Sequence, residues 1–172
     1  MLKGQDILVL LKLLASARPP TVRGLAEELR LDPGNVQRAL TRLRDSGLVH
    51  GRRPQPNRAA AEEFLVHGLR YVFPAREGGP TRGIPTAWAA PPLSEQLAGT
   101  QEPPPVWPDP QGRARGHSVE PLHPKAPEAA RRDPTFARWL ALLDALRLGD
   151  GRVRKLAAQE LRNGLRAGAS GG

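Results

Sequence analysis

The chain has 172 residues, a net charge of +9 and no cysteine. That length holds one domain of ordinary size, or a small domain with an appendage, and the missing thiols exclude disulfides, thiolate metal sites and cysteine nucleophiles. Arginine outnumbers lysine 22 to 4, and the charge is uneven: +6 over residues 1–58, −1 over 59–133 and +4 over 134–172.

At the N-terminus, MLKGQDILVLLKLLASA has the basic start, apolar run and Ala15-Ser16-Ala17 end of a signal peptide. Asp6 and Lys12 argue against that reading, and the unbroken run Ile7–Leu11 is too short to cross a membrane. A cytoplasmic location is expected. A helix is predicted from Asp6, as its N-cap, to Ala17, stopped by Pro19-Pro20. It is apolar all round and needs cover on every side, from the C-terminal helices or from a second subunit.

Thr21 can cap a second helix to Arg30, with Val22, Leu25, Ala26 and Leu29 as its inner stripe. After a short turn Asp32 can cap a third helix with Pro33 at its first position; Val36, Leu40 and Leu43 face inward and Gly47 ends it. Asn57 can cap a fourth, because Ala61, Phe64, Leu65, Gly68, Leu69 and Val72 recur at helical spacing. Only Leu48–Pro56 separates the third and fourth helices, so any β-hairpin there is very short.

From Pro74 to Pro134 there are 14 prolines and 6 glycines in 61 residues. Trp88, Trp107, Ile84, Leu93, Leu97, Val106 and Leu122 are too apolar for a solvated linker, so an irregular extended strap over the domain or a partner is expected. One helical turn is predicted at Ser94–Ala98, and PPPVWPDP reads as a rigid spacer. Asp133-Pro134 can then start a helix carrying Phe136, Trp139, Leu140, Leu142, Leu143 and Leu146. Gly149–Gly151 breaks it, and Val153, Leu156, Ala157, Leu161 and Leu165 mark a second arm, an antiparallel hairpin. The resulting division is 1–73, 74–133, 134–166 and a fraying tail at 167–172.

The pattern that carries function is LAEELRLDPGNVQRALTRLRDSGLV, Leu25–Val49. With Val36 inward, Gly34, Arg38 and Thr41 point outward, flanked by Asn35, Gln37 and Arg42. Arginine pairs with guanine and Asn or Gln with adenine in the major groove. Gly34 lets backbone approach a duplex, and Thr21 opens a helix end suited to phosphate. A solvated polar face on a three-helix core is the alternative.

Over about Lys3–Arg53 the pattern resembles the helix-turn-helix of MarR-type winged-helix regulators. That resemblance implies a mainly α, winged-helix-like domain, double-stranded DNA as partner, and transcriptional regulation, with repression the expected mode and residues 34–46 as the reading helix. Arg52 and Arg53 stand where the family's wing would be, either a basic arm on phosphate or two solvated side chains. Homodimerisation is expected on the apolar area that the first helix and the hairpin would otherwise expose. NRAAAEEFLVHGLRYVFP and TRGIPTAWAAPPL resemble poorly described bacterial MarR-like proteins, some of which act as antitoxins or autoregulators beside a toxin. The alternative function is therefore binding of a toxin-like partner protein through the strap and hairpin.

No nucleophile elbow, Walker loop, dinucleotide fingerprint or zinc-helix motif appears, so no enzyme activity, cofactor or metal is expected. His50, His67, His117 and His123 are scattered, with His67 expected half-buried near the inner stripe. Glu62 and Glu63 diverge on their helix and make no paired site.

Overall fold

A computed structural model describes residues 1–97 and 103–170. Its centre is α1 (Gly4–Ala15), in which Ile7, Leu8, Val9, Leu10 and Leu11 are all fully buried. α2 (Val22–Leu29) and α3 (Pro33–Asp45) pack on one side of it, and α7 (Pro134–Leu148) and α8 (Gly151–Ala169) on the other. The C-terminal helices thus supply the cover that an all-apolar helix requires. The apolar area of α1 and of the C-terminal helices on which a dimer was expected is buried within one chain.

The helix starts differ in one informative way. Thr21, Asp32, Asn57, Asp133 and Asp150 each accept a backbone N–H at the start of the helix that follows, satisfying otherwise orphaned donors. Asp6 does not cap α1 from outside. It lies within the first turn, fully buried, accepting from the Lys3 N–H at 2.8 Å.

Antiparallel strands β1 (Val49–His50) and β2 (Gln55–Pro56) follow α3, joined through Gly51–Pro54. α4 (Arg58–Glu63) continues through a π-helical turn at Phe64–Gly68 into α5 (Leu69–Val72). His67, expected half-buried, is exposed there. The wider π-turn rotates it off the stripe that α-helical spacing assigns.

The Pro-rich region is not an irregular strap. β3 (Glu77–Pro85), β4 (Pro105–Pro108) and β5 (Ala114–Val119) close into a three-stranded barrel, with β3 antiparallel to both neighbours and β4 parallel to β5. Proline has no N–H, but its carbonyl still accepts. The Thr86 N–H donates to the Pro105 carbonyl and the His117 N–H to the Pro104 carbonyl, both at 3.0 Å. The barrel closes on backbone: a Cβ on Gly83 would stand 2.0 Å from the Trp107 carbonyl oxygen, and one on Gly116 1.8 Å from that of Pro104.

PPPVWPDP is likewise no spacer, since it supplies β4 and the buried Trp107. The turn expected at Ser94–Ala98 forms as a 3₁₀ turn at Leu93–Glu95; Ala98 lies outside the described residues. α6 (Ala126–Arg132), which periodicity missed, leads into α7. The tail expected to fray continues as the last turn of α8 through Ala169, while Gly171 and Gly172 lie outside the described residues.

Two polar contacts, one buried and one partly exposed, tie these pieces together. Asp144 of α7, 2% exposed, accepts from Thr86 Oγ1 at 2.6 Å, Trp107 Nε1 at 2.8 Å and Arg147 Nη1 at 2.9 Å. Burial pushes its pKa up, against the opposing pull of Arg147 and the two neutral donors. Arg147 also donates to the Phe73 carbonyl at 2.8 Å, fixing the chain where α5 ends.

The second contact is Lys12 of α1, whose Nζ meets Asp133 at 2.8 Å and Glu28 at 3.0 Å and stands 4.8 Å from the Phe136 ring centre. Burial opposes its charge, but the hydrogen bonds to Asp133 and Glu28 outweigh it and raise its pKa. Burial likewise opposes the Asp133 charge, yet the Lys12 hydrogen bond and the Phe136 N–H hold that carboxyl below its ordinary value.

Candidate nucleic-acid interface

α3 is anchored from below by Val36, Ala39, Leu40 and Leu43, each fully buried. Its start is fixed by Asp32 Oδ1, which accepts from the N–H groups of Gly34 at 2.8 Å and Asn35 at 3.3 Å, with Pro33 at the first helical position. What remains outside is polar: Gln37, Arg38 and Thr41 are exposed, while Gly34, Asn35 and Arg42 are half-buried.

These six residues do different jobs. Arg38 donates through Nη2 to Asn35 Oδ1 at 2.5 Å, which holds its guanidinium along the exposed first turns. The Asn35 carbonyl accepts from Gln5 Nε2 at 3.1 Å, docking the start of α3 on α1. Thr41 gives its hydroxyl to the Gln37 carbonyl at 3.1 Å.

Arg42 turns away from the outer face. Its Nε and Nη2 each lie 2.8 Å from a carboxylate oxygen of the fully buried Asp6. The hydrogen bonds to Asp6 raise its pKa further. An arginine committed to neutralising a buried carboxylate is not free for base edges, because withdrawing it would strand a charge in the core. The expectation that Arg42 reads bases is corrected on that ground.

Gly34 has a local reason as well. A Cβ there would stand 2.9 Å from Asp32 Oδ1 and crowd the capping carboxylate. Thr21 Oγ1 accepts from the Gly24 N–H at 3.0 Å and remains exposed at the start of α2.

Arg52 and Arg53 are exposed in the turn between β1 and β2, where Gly51 takes a φ of +79°. Arg44, which the sequence reading missed, braces that turn: its Nε donates to the Gly51 carbonyl at 3.1 Å and its Nη2 to that of Arg52 at 3.3 Å. Nothing in helical spacing marks Arg44 for this role, since its partners are defined only once β1 and β2 pair. Asp45, seven residues after Arg38 and so on the same side of α3, is exposed and acidic. It limits the cationic surface to the first three turns.

These elements define a helix-turn-helix head, with a capped, polar-faced second helix of the motif seated on an apolar core. Residues 2–59, about a third of the chain, match the family model described as MarR family. No curated protein and no solved structure matches the chain. Among the described residues no group of three or more His, Asp or Glu side chains is placed to hold a metal ion, and no helix is long and apolar enough to cross a membrane.

Proposed function

We propose that the protein is a sequence-specific DNA-binding transcriptional regulator that inserts the first three turns of α3 into the major groove and acts as a repressor. One observation carries the reading. Arg38, preorganised by Asn35 and flanked by exposed Gln37 and Thr41, stands on a helix whose opposite face is wholly buried. Such a face offers donors and acceptors to base edges without loosening the core.

In this reading Thr21 and Gly34 mark backbone contacts with phosphate, and β1–β2 is a truncated wing whose Arg52 and Arg53 add charge next to α3. α7 and α8 form the helical hairpin that buttresses α1 from behind. A two-fold dimer, which would place two heads one helical turn apart, has to use a surface other than α1. Tyr71 and Val72 on α5, 75% and 50% exposed, are the large apolar side chains available for it among the described residues, Met1 apart.

The test is fluorescence anisotropy on the DNA immediately upstream of the protein's own coding sequence and on a scrambled duplex of equal length. Arg38→Ala should cost roughly 1–3 kcal/mol of discrimination and leave thermal stability unchanged. Arg42→Ala should instead lower stability by roughly 3–5 kcal/mol, by leaving Asp6 buried without its partner. Equal binding to both duplexes by the unaltered protein sinks the reading.

A further inference from the structure

The barrel places two arginines in a register that sheet physics disfavours. Arg82 of β3 and Arg115 of β5 are directly opposite each other, so their side chains stand on one face, and both are exposed. Like charges directly opposite destabilise a ladder.

Nothing among the described residues offsets them. Arg82 reaches only the Gly112 carbonyl, at 3.5 Å, and Asp109, whose N–H meets the Arg82 carbonyl, gives its carboxylate to Arg131. Arg30, Arg76, Arg131 and Arg138 are paired with Glu128, Glu120, Asp109 and Glu95, whereas Arg18, Arg23, Arg52, Arg53, Arg152 and Arg166 are, like this pair, exposed without an ion pair among the described residues; what sets Arg82 and Arg115 apart is their opposed register. Exposed Arg113 lies two residues before Arg115 and, with Asp109, Gly112 and Arg131, lines a hollow of about 410 Å³ that neither Arg82 nor Arg115 lines.

We propose that Arg82 and Arg115, with Arg113 alongside, form a phosphate clamp, a second contact with the DNA backbone outside the head. The proposal rests on the DNA-binding reading. The next pair on this face is Pro80 opposite His117, whose Nε2 lies 3.2 Å from Glu77 Oε1, so beside the arginines the face carries no large apolar anchor. Protein interfaces are built around such anchors, whereas phosphate recognition requires only positioned charge.

The barrel is also held to the head. After β5 the chain turns so that the Leu122 carbonyl oxygen lies 2.2 Å from where a Cβ on Gly4 would stand, and the next residue, Gln5, bonds the start of α3. The position of the barrel relative to the start of α3 is therefore fixed.

The test compares the full-length protein with an Arg82→Thr, Arg115→Thr variant by anisotropy on the upstream and scrambled duplexes, between about 50 and about 200 mM salt. Each lost phosphate contact removes about 0.9 from the slope of log K against log salt. The slope should shrink by about 1.8 on both duplexes, with the preference for the upstream one unchanged. Thermal stability should hold or rise, since threonine suits a strand and the like-charge pair is gone. Unchanged slopes on both duplexes overturn the clamp and leave the pair to an acidic protein surface. If the unaltered protein shows no preference between duplexes, the head reading fails instead, and the change in slope still decides the clamp.

Discussion

The head and the barrel solve the same problem, ordering a short piece of chain, by opposite means. In the head, apolar side chains at helical spacing bury against α1, and each of α2 and α3 begins at a side-chain cap. In the barrel, glycines let backbones touch, the Pro104 and Pro105 carbonyls accept from the His117 and Thr86 N–H groups, and a single buried carboxylate on α7 holds Thr86 and Trp107 in place. A side-chain core tolerates small losses because many contacts share the load. A structure closed on backbone contacts and one polar hub fails at single points.

The largest expected effect that sharpens this contrast is at Asp144. Asp144→Ala should cost roughly 3–5 kcal/mol, because it strands the buried Arg147 charge along with two neutral donors. Urea denaturation measures the loss, and near-ultraviolet circular dichroism should show Trp107 losing its fixed surroundings. A loss below about 1 kcal/mol would mean that the barrel does not depend on the hub.

Next come the glycines. Gly116→Ala should destabilise by roughly 1–3 kcal/mol or more, as forced overpacking does, since its Cβ would fall on the Pro104 carbonyl. Gly47→Ala, at the end of α3, meets open space and costs only the strain of a φ of +75°, roughly 1–2 kcal/mol. Melting curves that rank the two the other way would break the distinction between backbone packing and side-chain packing.

The smallest effect is a pH dependence across the joint between head and hairpin. The Lys12 pKa is raised in the fold, so its contribution is complete below the ordinary value of 10.5 and is lost as pH rises through the raised value. The Asp133 pKa is lowered, so its contribution is present above the ordinary 3.8 and is lost as pH falls through the lowered value. The pair should therefore stabilise between these limits, and Asp133→Asn should flatten the acid limb of a plot of melting temperature against pH. An acid limb that is the same with and without Asp133 would show that the joint does not titrate.

The candidate site was more legible in sequence than the barrel, though unevenly. Gln37, Arg38 and Thr41 follow from one rotation around α3, because periodicity alone decides which side of a helix faces out. Arg42 defeated the same rotation. It lies at the edge of the outer face, and whether it points to solvent or back to α1 depends on the buried Asp6, 36 residues away in sequence. Arg44 was invisible for the same reason, its partners being carbonyls in a turn that exists only after β1 and β2 pair.

By itself the sequence determined the caps of α2, α3 and α4, the apolar stripes and the order of the helices in the head, all of which depend on residues within a turn or two of one another. Only the tertiary structure decided what covers α1, which arginines are spent inside the fold, and that a proline-rich stretch becomes a barrel. Those outcomes depend on partners far apart in the chain: Trp107 with Asp144, Lys12 with Asp133, Gly116 with Pro104. Local spacing carries no record of such pairs, because a buried charge or a missing Cβ finds its reason only in the group brought against it.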